Sequence, residues 1–144
     1  MTRTFRVPIE APQPSQLFLS GRKLHAASAW FDFDDPQYDP LPVLCDEPVS
    51  PDGDDPALLD GHTRAYLAHL AGADELVVRD VTDGEHPLVT DGEHPLALYA
   101  DCVAWCERRG LTSVADFAGR VVSHEAYERR WIDRCHRVAR VLDE

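Results

Sequence analysis

Lysine is nearly missing from this chain: thirteen arginines stand beside the single Lys23, against 26 aspartates and glutamates. The resulting net charge of −12 works against binding a nucleic acid, because nonspecific affinity comes mainly from basic side chains that neutralise phosphates. No stretch approaches the roughly twenty apolar residues of a membrane-spanning helix, and the opening MTRTFRVPIEAPQP has no apolar export core. A soluble, cytoplasmic protein without a membrane partner is expected. Cysteine is sparse, at four residues, and without an export signal a disulfide framework is not expected. Cys102 and Cys106 share a helix face and Cys135 lies beside His136, but this is not the paired spacing of structural zinc, so buried core thiols are expected.

What is present fits one domain of ordinary size, with a hydrophobic fraction of 44%. Thr4 to Ile9 alternate as a short strand that Pro8 pushes to a sheet edge. Ser15 or Ser20 can cap a helix through Trp30, with Leu24 and Trp30 available to a core. Leu41 to Cys45 read as a strand, Pro48 to Pro56 as a turn, and Ala57 to Leu59 as the returning strand of a hairpin. Thr63 to Leu70 form a helix closed by Gly72, and Leu76 to Val81 a further strand. The fold class expected is α+β.

An octapeptide, VTDGEHPL, occurs at Val81 to Leu88 and again unchanged at Val89 to Leu96. It is too short for a structural repeat and marks a surface loop that tolerates added length. Turn chemistry explains its Gly, Glu, His and Pro better than a metal set of Asp83, Glu85, His86, Asp91, Glu93 and His94. Beyond Pro95 the spacing of Leu98, Cys102, Trp105 and Cys106 is helical until Gly110. Thr112 or Ser113 can cap a short second helix and Ser123 a third, giving a helical extension. SVADFAGRVVSHEAYERRW hints at helix-turn-helix, but its acids and the lack of a tight glycine turn disfavour that reading. The organisation expected is a core over 1–81, a surface loop over 82–96 and helices over 97–144.

The chemistry concentrates in LLDGHTRAYLAHLAG, Leu58 to Gly72. Gly61 falls where a strand must turn at once into a helix, and lacking a Cβ it lets the backbone approach a ligand. Free N–H groups and the helix dipole at Thr63 favour a phosphate or carboxylate there. Arg64 adds a guanidinium able to bind two phosphate oxygens, and the Thr63 hydroxyl a further donor. Asp60 would repel that anion unless magnesium or a substrate proton lay between them. The plainer reading is a capped helix with Arg64 paired to a surface acid.

Over residues 5 to 81 this arrangement resembles the ParB and sulfiredoxin superfamily. The resemblance implies a small mixed sheet in which Gly61, His62, Thr63 and Arg64 bind nucleotide phosphates. Sulfiredoxins carry a cysteine in this loop, as Gly-Cys-His-Arg; here His62 follows Gly61 directly and the nearest cysteine is Cys45, so their chemistry is disfavoured. The Gly-Glu-Arg-Arg of partition proteins and their basic DNA-binding mass are also missing. The Asp-Gly-His-His-Arg turn of archaeal free-serine kinases matches Asp60, Gly61, His62 and Arg64, with Thr63 substituted. The expected function is therefore a nucleotide-dependent, magnesium-dependent phosphotransferase acting on a small hydroxylated metabolite, with ATP the first choice of nucleotide. Asp60 would bind metal or accept a proton, His62 would be a second base, and Glu10 could complete the site. The alternative is a non-catalytic nucleotide-sensing regulator that meets protein or DNA.

Overall fold

Strand β1 (Arg3–Pro8) pairs antiparallel with the strand that ends the first half of the chain, β6 (Glu75–Asp80), and forms one edge of the sheet. That position suits Pro8, which has no N–H to give a second neighbour. The computed structural model describes residues 3–45, 56–81 and 95–142. The tandem octapeptide, apart from its ends, and the turn expected over Pro48 to Pro56, apart from Pro56, lie outside them. In the described part the protein is α+β: a five-stranded mixed sheet in the order β1, β6, β4, β5, β2, a two-stranded sheet, and helices that include a C-terminal one.

The centre of the large sheet is β4 (Leu41–Leu44), parallel to β6 and antiparallel to β5 (Ala57–Leu58), which in turn runs parallel to β2 (Gln13–Pro14). A proline inside a central strand ordinarily loses a ladder bond. Pro42 avoids this because its carbonyl accepts from Leu59 N (3.0 Å), so its missing N–H faces the same side, where β5 has already ended and the chain is turning. Side chains alternate across the sheet accordingly. Leu41, Val43 and Leu58 join the main core, whereas Leu44, Ala57, Leu59 and Val81 meet Val103 on the opposite face.

Helix α1 (Gly21–Ser28) starts at Ser20, whose hydroxyl accepts from Lys23 N (3.3 Å). Leu24 packs against the core, but Trp30 is 58% exposed. The expectation that it would be buried fails because α1 has ended at Ala29, and Phe31, next along the chain, takes the core position. Helix α2 (His62–Leu70) buries Ala65, Tyr66, Leu67 and Ala68. Helix α3 (Pro95–Arg108) places Cys102 and Cys106 in the core; burial pushes the Cys106 thiol up to about 12. Among the described residues no three His, Cys, Asp or Glu side chains group as a metal site, and no helix is long and apolar enough to cross a membrane.

After α3 the chain makes a 3-10 turn (Val114–Phe117) led by Ser113, then β7 (Val121–Val122), which lies parallel to β3 (Leu19–Ser20). Helix α4 (His124–Tyr127) begins at Ser123 and runs through a π-type turn (Glu128–Ile132) into α5 (Asp133–Leu142). The segment is thus turn, strand and helix rather than helix-turn-helix. Phe117, Tyr127 and Trp131 join the same apolar cluster as Val7 and Leu76.

Candidate functional site

Leu58 ends β5 and His62 begins α2, so three residues reverse the chain. Gly61 makes this possible with φ 78° and ψ 22°, the left-handed region that side chains rarely adopt. A Cβ on it would stand 2.5 Å from Leu41 Cδ2 and 2.9 Å from Arg64 Nη2. The turn is thus wedged against the central strand on one side and roofed by a guanidinium on the other. No side chain caps the start of α2.

Arg64 is unusual in this position. A helix start carries partial positive charge, and among the described residues the guanidinium folded over it forms no ion pair. Two positive features brought together, with no ion pair to the guanidinium among the described residues, make a place that an anion would stabilise.

His62 is 3% exposed, and its Nε2 accepts the backbone N–H of Ser15 (3.0 Å). The Ser15 hydroxyl donates to Leu58 O (2.6 Å). One serine therefore ties β2 to both ends of the turn, while Ser20 is the residue that caps α1. Burial drives the His62 pKa down to about 4, with the Asp60 carboxylate pulling the other way. The ring is thus neutral at pH 7 with its lone pair on Nε2, which assigns the proton to Nδ1. Nδ1 is buried and has no hydrogen-bond partner among the described residues.

The turn opens onto a cleft of about 310 Å³ that Asp60, Thr63 and Arg64 line together with Lys23, Trp30 and Tyr127. The chain's single lysine thus faces the same space as Arg64, its Nζ 5.0 Å above the Tyr127 ring. Burial raises the Tyr127 hydroxyl to about 12, helped by nearby Cys135, Glu128 and Asp60, so the phenol stays protonated. Of the residues singled out in the sequence, the structure gathers Asp60, Gly61, His62, Thr63 and Arg64. It does not gather Glu10, which is exposed beside Ile9, and Ile9 N donates to Asp74 O (2.9 Å) past the far end of α2. Sequence reasoning missed Lys23, Trp30 and Tyr127 as cleft residues. The isolation of Lys23 among thirteen arginines was the one available signal.

No family model matches the chain, and no curated protein matches it. Among solved structures it is similar to protein Atu1540 from Agrobacterium tumefaciens, at 18% identity and a TM-score of 0.43, over 56% of this chain. The matched region spans 40% of that protein.

Proposed function

We propose that the Gly61 turn is a phosphate-binding site and that the protein binds a nucleotide there, as a divergent relative of the ParB and sulfiredoxin superfamily. The observation that carries this reading is the Arg64 guanidinium, without an ion pair among the described residues, folded over an uncapped helix start. Lys23 supplies a second cation from α1. The half-exposed Trp30 offers an aromatic face suited to a base.

The residues fit magnesium with a nucleotide. Asp60 is the one carboxylate among the described residues lining the cleft, and magnesium takes one or two carboxylates when phosphates and water supply its other ligands. A bound nucleoside triphosphate would bring a transferable phosphoryl group. The chain's own part is to bind phosphate oxygens through Arg64, Lys23 and the amides after Gly61, and to hold or accept a proton at Asp60. His62 is left out as a base, because its lone pair is engaged by Ser15. Its role in the proposal is to anchor the turn.

With Glu10 remote, His62 engaged and the Tyr127 phenol held protonated, Asp60 is the one carboxylate left as a base among the described residues of the cleft, and this favours a second reading, a nucleotide sensor without turnover. Ligand-dependent thermal stabilisation with ATP or CTP and magnesium tests the phosphate site. The absence of any shift rejects both readings. Where a shift occurs, turnover with hydroxylated metabolites that is lost in Asp60→Asn supports the phosphotransferase, and binding without turnover supports the sensor.

A further inference from the structure

Arg130, Arg134 and Arg137 recur at intervals of four and three, the spacing that puts side chains on one helix face. The fold adds Arg109 from the end of α3 and Arg120 from just before β7. The five arginines line one open cleft of about 500 Å³ whose floor includes Phe18 and Trp105. More than a third of the thirteen arginines in a chain of net charge −12 therefore meet in one place.

Like charges gathered this way repel one another, and the cost grows as water is displaced. Protein carboxylates do not offset it: among the described residues Asp101 is the one acid paired with the five, its Oδ2 2.8 Å from Arg134 Nη2. Aromatic rings hold three of the five instead, and Arg120 donates to the Arg109 carbonyl. Arg109 and Arg134 each lie 4.7 Å from the centre of Trp105, Arg134 lies 5.4 Å from Trp131, and Arg130 lies 4.6 Å from Phe18. Stacking uses the flat face of a guanidinium and leaves its edge N–H groups free. Arg134 Nη1 is buried and has no hydrogen-bond partner among the described residues, a donor that a bound oxyanion would satisfy.

We propose that Arg109, Arg120, Arg130, Arg134 and Arg137 form a second anion site, separate from the Gly61 turn, for a compact anion carrying several phosphate groups. Three observations set that class. The cleft has the volume of a small-molecule site. Its rings are occupied by arginines, so recognition goes through ligand oxygens rather than through stacking of a base. A long nucleic-acid strand would also meet the rest of a chain of net charge −12, whereas a compact anion meets the arginines alone.

Inorganic tripolyphosphate titrated calorimetrically into the full chain tests this, with Arg64→Gln weakening the first site. The Arg64→Gln protein is expected to retain a binding event that weakens with salt. Adding the exposed changes Arg130→Gln and Arg137→Gln is expected to lower its affinity about tenfold or more, with an unchanged far-UV spectrum showing that the fold is kept; Arg109→Gln serves in their place should that pair misfold. No binding by Arg64→Gln at millimolar tripolyphosphate, or affinity indifferent to the arginine changes, would overturn the proposal. Preference for a single-stranded oligonucleotide over tripolyphosphate would overturn the ligand class.

Discussion

Arg64 Nη2 lies 2.9 Å from the point where a Cβ on Gly61 would stand, so glycine at 61 is what allows the arginine to close over the start of α2. Gly61→Ala would bring a left-handed backbone penalty of about 1–2 kcal/mol together with a clash against the buried Leu41. A total loss of at least about 2 kcal/mol is expected, read as a lower urea midpoint at unchanged slope. A midpoint equal to wild type would mean that the turn relaxes freely and that the wedge described here does not exist.

His62 makes stability depend on pH. Its folded pKa is about 4 against 6.5 for the free side chain, so between these values the unfolded chain binds the extra proton. Stability is therefore fully present above about pH 6.5 and is lost as pH falls toward 4, by about 3 kcal/mol in total from this group. In His62→Gln the glutamine oxygen can accept from Ser15, and the slope across that window should flatten relative to wild type. Parallel stability curves for the two proteins from pH 7 to about 4 would show that the histidine is not the group responsible.

Lys23 and Trp30 are exposed and each meets the core at one ring, Lys23 at Tyr127 and Trp30 at Phe31. Lys23→Gln should shift the unfolding midpoint by no more than about 1 kcal/mol, the scale of an exposed cation–π contact, while weakening magnesium–ATP binding about threefold to tenfold. Trp30→Ala should leave stability unchanged and weaken ATP more than it weakens inorganic triphosphate. Equal losses for the two ligands would remove the base-stacking role given to Trp30.

Asp116 accepts from Thr112 N, Thr112 Oγ1 and Ser113 N, each at 3.1 Å. Desolvation pushes its carboxyl up, but these hydrogen bonds and nearby Arg120 outweigh it and hold the group below its ordinary range. The cap lies beside Phe117, which is fully buried. Asp116→Ala is expected to cost about 1 kcal/mol, measured by denaturant titration, without affecting ligand binding.

The parts of the fold legible in the sequence were those with length enough to show a period or a cap. The β1 alternation, the edge signal of Pro8, the α3 spacing and the caps at Ser20 and Ser123 belong to this group. Two-residue strands such as β2, β3 and β7 have no period to read, and they exist because partners distant in the chain offer edges to them. The turn at Gly61 was legible because its chemistry is local. Lys23, Trp30 and Tyr127 reach the same cleft from two other elements, and neither spacing nor composition records that meeting. The arginine cleft is half visible in the repeat of Arg130, Arg134 and Arg137, but an overall charge of −12 masks a local basic surface.

Binding of magnesium–ATP to wild type and Arg64→Gln, followed calorimetrically under conditions in which both proteins are folded, bears most directly on the phosphate site. Saturable binding to wild type and a loss of about tenfold or more in Arg64→Gln are expected, in line with about 1.5–3 kcal/mol for a hydrogen bond to a charged group. Equal affinity in the two proteins, or no heat in either, would contradict the assignment of a phosphate to the guanidinium above Gly61.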